Sequence, residues 1–157
     1  MDDIDYKIIK ILSDNANATA TEISTQVNLS IPAVNKRISK LKQTGLIRQF
    51  AVVLDPEKVG KPIQAFILLL LQQPSGASKL TEYIQSDPDI LECYAITGEY
   101  DYILKVCARD VAHLEKKLNH LKQQKGIAKS YTMLSLMEHK FRASILPNYK
   151  NTEKDEI

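Results

Sequence analysis

The hydrophobic period changes once along the chain, near residue 46, and this constrains the fold more than any single motif. Before that point apolar residues recur at helical spacing; after it they run in extended blocks and alternations. A chain of 157 residues has room for one ordinary domain or two small ones. The change of period predicts two.

Residues 4 to about 46 read as three short helices. In the first, Ile4, Ile8, Ile9 and Leu12 share a face, and Asp2, Asp3 and Asp5 sit near the positive end of the helix dipole. The stretch Asp14-Asn15-Ala16-Asn17-Ala18 breaks it. A second helix starts at a cap from Thr19 or Thr21, carries Ile23 and Val27 inward and ends at Asn28. The third has Ser30 as N-cap and Pro32 in its first turn, where a missing N–H costs nothing. Val34, Ile38 and Leu41 then form a buried stripe, and Gly45 is placed to stop the helix. Only Asn28-Leu29-Ser30 separates the second and third helices, which is helix-turn-helix spacing.

Beyond Gly45, Leu46 to Leu54 reads as an extended segment closed by Asp55-Pro56, either a wing or a linker strand. Ile63 to Leu71 is a buried strand ended by Gln72-Gln73-Pro74-Ser75-Gly76. Leu80, Tyr83 and Ile84 mark a short helix stopped at Asp87-Pro88. Ile90 to Thr97 and Tyr102 to Cys107 form a hairpin across Gly98-Glu99-Tyr100-Asp101. Asp110 caps a helix bearing Val111, Leu114, Leu118 and Leu121, closed by Lys125-Gly126. Ile127 to Met137 alternates as a last strand, with one more extended piece from Arg142 to Leu146. The order β-α-β-β-α-β is the ferredoxin-like arrangement. The expected class is α+β: a helix-turn-helix domain over 1–50, a linker strand over 51–61, an αβ-sandwich over 62–146 and a polar tail over 147–157. Each domain is small enough that oligomerisation through a sheet would help to stabilise it.

Net charge is 21 − 19 = +2, too small to single out a nucleic-acid partner. Its distribution does more. No acid lies between Ile23 and Leu54, while Lys36, Arg37, Lys40, Lys42 and Arg48 do, and the acids of the N-terminal half lie on the first helix, away from that face. Lys36 and Lys40 are i, i+4 neighbours whose repulsion costs a few tenths of a kcal/mol. A run of cations is commonly just a solvated face. Here it coincides with a capped helix after a three-residue turn, which points to duplex DNA. Residues near the start of such a helix reach base edges while flanking cations hold phosphates. Ser30, Ile31, Pro32, Ala33 and Asn35 fall at the base-reading end, with Asn35 as hydrogen-bonding reader. Lys36, Lys40 and Arg48 are phosphate contacts, and Arg37 either joins them or braces the domain internally.

Asp2-x-x-Asp5-x-x-Ile8-Ile9-x-x-Leu12, Leu29-Ser30 and Arg37-Ile38-x-x-Leu41-x-x-x-Gly45-Leu46-Ile47 together resemble the Lrp/AsnC (leucine-responsive/asparagine regulator, feast-or-famine) transcription factors. Glu92-Cys93-Tyr94 followed by Thr97-Gly98-Glu99-Tyr100-Asp101-Tyr102-Ile103-Leu104-Lys105 is similar to that family's small-molecule-binding hairpin. The resemblance spans Met1 to about Leu146. It implies a winged-type helix-turn-helix, a C-terminal αβ-sandwich that dimerises through its sheet, and assembly into tetramers or octamers. It also implies an amino-acid effector bound between dimers near Gly98, Tyr100 and Asp101, with Thr132 and Leu134 on the facing last strand. Gly98 would offer its N–H to a carboxylate, and Asp101 would pair with an α-ammonium. Read without the resemblance, the same four residues make a simple turn. Two departures stand out: Asn15-Ala16-Asn17 replaces a segment that usually carries an arginine, and Lys42 follows Leu41 where the family has a glutamate.

Other chemistry is sparse. His113 and His120 read as a solvated helix face, and Cys93 and Cys107 as small core residues. No phosphate loop, nucleophile elbow or paired carboxylates are found, so neither an enzyme, a cofactor nor a metal is expected. The acidic start Met1-Asp2-Asp3-Ile4-Asp5 is unlike a signal peptide, and the run Ala65–Leu71 is far below the roughly 20 residues of a spanning helix. The expected location is the cytoplasm. The reading is a sequence-specific DNA-binding regulator responsive to an amino acid or related metabolite. Its rivals are an architectural DNA-bending protein and a small-molecule-binding regulatory subunit of an enzyme.

Overall fold

A computed structural model of the chain describes residues 1–72, 77–124 and 126–148. The expected breaks at Gln73–Gly76 and Lys125, and the tail beyond Asn148, lie outside the described residues. The chain forms two compact units, one from residues 1–53 with the segment from Lys140 onward, the other from residues 54–139.

The first unit holds α1 (Asp3–Asp14), α2 (Ala20–Val27) and α3 (Ile31–Gln43). Each start is satisfied chemically. Asp2 and Asp5 form a reciprocal capping box on α1, and Thr19 and Glu22 form one on α2. The Ser30 side chain accepts from the Ala33 N–H at the start of α3. Asn28 ends α2 in the left-handed region at φ 53, a conformation that asparagine tolerates better than most residues. Gly45 turns the chain after α3 at φ +73, as its position predicts. Ile8, Ile9, Ile23, Val27, Val34 and Leu41 close over one another as the core.

Two extended expectations in or beside this unit are corrected. Residues 46–54 join no β-ladder, and Arg142–Leu146 forms no strand. A strand needs a partner backbone, and an apolar alternation supplies only one side of that pairing. Val52, Val53 and Leu54 are exposed, and a turn closes over Asp55–Lys61, where Lys61 donates to the Pro56 carbonyl at 2.8 Å. The later segment lies back along the helices: Arg142 reaches Asp14 at 3.5 Å and the hydroxyls of Ser13 and Ser144 stand 3.4 Å apart.

The second unit is β1 (Ile63–Leu71), α4 (Ala77–Ser86), β2 (Ile90–Ala95), β3 (Tyr102–Ala108), α5 (Val111–Gln123) and β4 (Ile127–Leu134). The sheet order is β2-β3-β1-β4 with every pair antiparallel, the ferredoxin-like arrangement. Two strands stop short of their expected ends, β2 at Ala95 and β4 at Leu134. Alternation then sorts the faces. Ala65, Ile67, Leu69, Leu104, Val106 and Ala108 pack under Leu80, Ile84, Leu114 and Leu121 of the two helices. A fully buried side chain of this kind contributes about 1.5–3 kcal/mol. Their neighbours Phe66, Leu68, Leu70, Ile103, Tyr131 and Met133 share the opposite face, which carries no helix among the described residues. No helix among the described residues is long and apolar enough to cross a membrane.

Candidate functional site

On α3 the buried stripe Val34, Ile38 and Leu41 turns the opposite side outward. Pro32, Lys36 and Lys40 lie on that outer side and are exposed, and Ile31 and Asn35 are exposed on its flank. Ala33 is half-buried and the Ser30 hydroxyl is engaged in the cap, so both shape the helix start rather than project from it. Ser39 and Gln43 complete the outer face. Both are exposed, at i+3 and i+7 from Lys36, and the spacing alone would have found them. Arg48 is exposed beyond the Gly45 turn. Among the described residues Lys36, Lys40 and Arg48 meet no carboxylate within 4 Å, while Lys42 sits 4.8 Å from the Phe50 ring centre.

Arg37 departs from this set. Its guanidinium donates to Asp2 Oδ2 at 2.6 Å and to Asp5 Oδ1 at 2.7 Å. The acids of the first helix are therefore not all remote from α3: two of them neutralise its inward-leaning arginine. The Asp5 N–H and then the Arg37 guanidinium hold the Asp2 carboxyl below the usual carboxylate range, and hydrogen bonds to Asp2 and Asp5 raise Arg37 in turn. These ion pairs are those of an internal brace, one of the two roles open to Arg37. Among the described residues the outward cations Lys36, Lys40 and Arg48 meet no neutralising carboxylate.

The second candidate site is the turn between β2 and β3. Gly98 adopts φ +123, a left-handed conformation that L side chains rarely take. Among the described residues the N–H groups of Gly98, Glu99 and Tyr100 meet no acceptor. Asp101 anchors the turn: its N–H donates to the Leu69 carbonyl at 2.9 Å, and its Oδ2 accepts from the Leu71 N–H at 2.7 Å. Part of the carboxylate's hydrogen-bonding capacity is thus spent on the end of β1. Lys129 of β4 was not anticipated. Its ammonium lies 2.9 Å from Glu99 Oε1 and 5.3 Å from the Tyr100 ring centre.

Thr132 and Leu134 are not brought to this turn within one chain. They pair with Ile67 and Ala65, whereas Asp101 bonds to Leu69. At about 3.3 Å per residue, Leu134 lies some 13 Å further along β1. Leu134 is 47% exposed on an edge strand, so a site that uses both ends needs a second surface.

A buried polar cluster is the feature that sequence reading missed altogether. The Lys117 ammonium touches both oxygens of Asp87 at 2.7 Å and Asp89 Oδ2 at 2.9 Å. Lys61 holds the other Asp89 oxygen, Tyr83 donates to Asp87 at 3.1 Å, and His113 Nε2 lies 3.8 Å from Asp89. Burial opposes the charge on Asp89, but Lys61 and Lys117 outweigh it and bring the carboxyl down to about 2. Burial, reinforced by the Asp87 charge, pushes the Tyr83 phenol up to about 12. His113 is consequently half-buried against a carboxylate rather than on a solvated face, and His120 stacks at 5.0 Å on Tyr83. Cys107 is core, but Cys93 is exposed, against expectation. Among the described residues no His, Cys, Asp and Glu set forms a metal-binding group.

Comparison with known proteins identifies the two domains. A family model described as the Lrp/AsnC ligand binding domain matches residues 64–145, and one described as winged helix-turn-helix DNA-binding matches residues 1–48. The chain belongs to the Lrp/AsnC family. The HTH-type transcriptional regulator FL11 of Pyrococcus horikoshii is 35% identical over 143 residues, 89% of this chain and 92% of that one. The glutamate uptake regulatory protein of Zymomonas mobilis is 28% identical over 99% of this chain and 96% of its own. A transcriptional regulator of Neisseria meningitidis, solved as its L-methionine complex, superposes with a TM-score of 0.88 at 30% identity, covering 92% of this chain and 96% of that one. As an Lrp/AsnC member the chain is a DNA-binding transcription regulator with a small-molecule-binding domain. The α3 face falls in the helix-turn-helix match and the Gly98 turn in the ligand-binding match.

Proposed function

We propose that this regulator reads paired half-sites in duplex DNA through α3, and that an amino acid bound at the Gly98–Asp101 turn biases its assembly or its grip on DNA. The observation that carries the reading is the unneutralised cation face of α3, Lys36 and Lys40 with Arg48 beyond it, on a helix whose only inward arginine is already paired. Asn35, Ile31 and Pro32 reach base edges, and Lys36, Lys40 and Arg48 hold phosphates. Residues 1–50 form the DNA-binding part, 51–61 the link and 62–146 the effector and assembly part.

The helix-free face bearing Phe66, Leu68, Tyr131 and Met133 supports a homodimer, since an apolar sheet face is stable when covered. Thr132 and Leu134, separated from the turn along their own sheet, belong to an effector site between dimers, hence to a tetramer or octamer. A coupling of about 1–3 kcal/mol is enough for an amino acid to act on DNA binding. The protein works in the cytoplasm, without a catalytic activity of its own and without a cofactor.

The test is fluorescence anisotropy of the full chain on duplex DNA from upstream of its own gene, against scrambled competitor, at two salt concentrations, with each amino acid in turn. Specific, salt-sensitive binding changed by one amino acid is expected. Equal binding to scrambled DNA would replace the reading with an architectural role, and no binding at low salt would leave a protein partner as the target.

A further inference from the structure

We propose that Lys129 selects the effector by its side-chain charge, so that the Gly98 turn takes an amino acid with an acidic side chain. This rests on the effector reading above and names the ligand class within it. Lys129 and Glu99 link two separate elements, the strand β4 and the turn, and they are the charged pair beside the three open N–H groups. A ligand whose α-carboxylate lies on those N–H groups puts its side chain within reach of this pair.

The two members of the pair are not held alike. Lys129 extends from a ladder position opposite Leu70 and has a second contact, its ammonium lying 5.3 Å from the Tyr100 ring centre. Glu99 is on the turn, 70% exposed, next to a glycine at φ +123. An exposed pair of this kind contributes little to stability, because water screens it. A ligand carboxylate can therefore take the place of Glu99 and keep the contact between Lys129 and the Tyr100 ring. A ligand cation would have to take Glu99 from Lys129, and Lys129 would lose that partner and gain none. A neutral side chain gains neither contact. The ranking is acidic first, neutral and basic behind, by roughly fivefold to tenfold.

Isothermal titration of the full chain with L-glutamate, L-aspartate, L-glutamine, L-leucine and L-lysine tests this. The expected result is tighter binding of one of the two acidic amino acids than of L-glutamine, by that factor. Lys129→Ala should erase the acidic preference while the L-glutamine affinity stays within about twofold, which separates selection from loss of folding. Glu99→Gln should tighten the acidic ligand several-fold, because it vacates the ammonium without touching it. An acidic preference that survives Lys129→Ala, or a neutral or basic amino acid that binds tightest, overturns the proposal while leaving the effector reading intact. Binding by no amino acid of any charge overturns both.

Discussion

Replacing Lys117 by Met should destabilise the sandwich unit more than any surface substitution, and by an amount that depends on pH. The Lys117 side chain is 10% exposed and shared between Asp87 and Asp89, which are 12% and 10% exposed. Removing one partner of a buried pair leaves an uncompensated charge and costs about 3–5 kcal/mol. Asp89 keeps Lys61, and Asp87 keeps the Tyr83 hydroxyl and the Asp89 N–H, so the low end, about 3 kcal/mol, applies. The folded Asp89 carboxyl sits at about 2 against an ordinary 3.8, so it contributes stability that is present above the ordinary value and lost as pH falls through about 2. That difference corresponds to about 2 kcal/mol at neutral pH. Without Lys117 the folded value climbs part of the way back, Lys61 still holding it down, and the contribution shrinks. The gap between wild type and Lys117→Met should then be widest at neutral pH and narrow toward about pH 3. Urea denaturation followed by tyrosine fluorescence measures it, and Tyr83 reports from inside the cluster. A loss below about 1 kcal/mol at neutral pH, or a gap that does not change on acidification, would refute the assignment of the cluster as a mutually neutralising unit.

Lys36→Ala with Lys40→Ala should weaken binding to every DNA sequence and flatten the dependence of log affinity on log salt by up to about two units; an unchanged slope on titration at several salt concentrations would remove α3 from the interface. Arg37→Ala should act on folding first, lowering the melting temperature of the helical unit by a few degrees in calorimetry, and a variant that melts like wild type but binds DNA poorly would return Arg37 to the phosphate contacts. Gly98→Ala should cost roughly 1–3 kcal/mol through backbone strain alone, since nothing lies within 4 Å of the added carbon; a neutral effect in urea denaturation would mean the turn relaxes to another conformation. Ser30→Ala should cost about 0.5–1 kcal/mol, at the low end for an N-cap because the Oγ to Ala33 N–H contact is long at 3.4 Å, and thermal melts will show it.

The elements that could be read from the sequence are those whose causes are local. Caps act over three residues, as at Thr19 with Glu22, and a glycine stop acts at one position, as at Gly45. Helical and alternating periods act over a single element, so the three-helix unit and the β-α-β-β-α-β order were legible, as was the outer face of α3. The acid-free window was also legible as a count of charge, but its partners were not. Arg37 meets Asp2 and Asp5, 35 and 32 residues away, and only packing α1 against α3 makes that pair. Lys117 meets Asp87 across 30 residues, and Lys129 meets Glu99 across the same separation. No spacing rule announces such contacts, because each depends on where whole strands and helices come to rest. The segment 46–54 makes the same point from the other side. Its apolar alternation is that of a strand, yet a ladder requires a second backbone, and tertiary structure decides whether one is there.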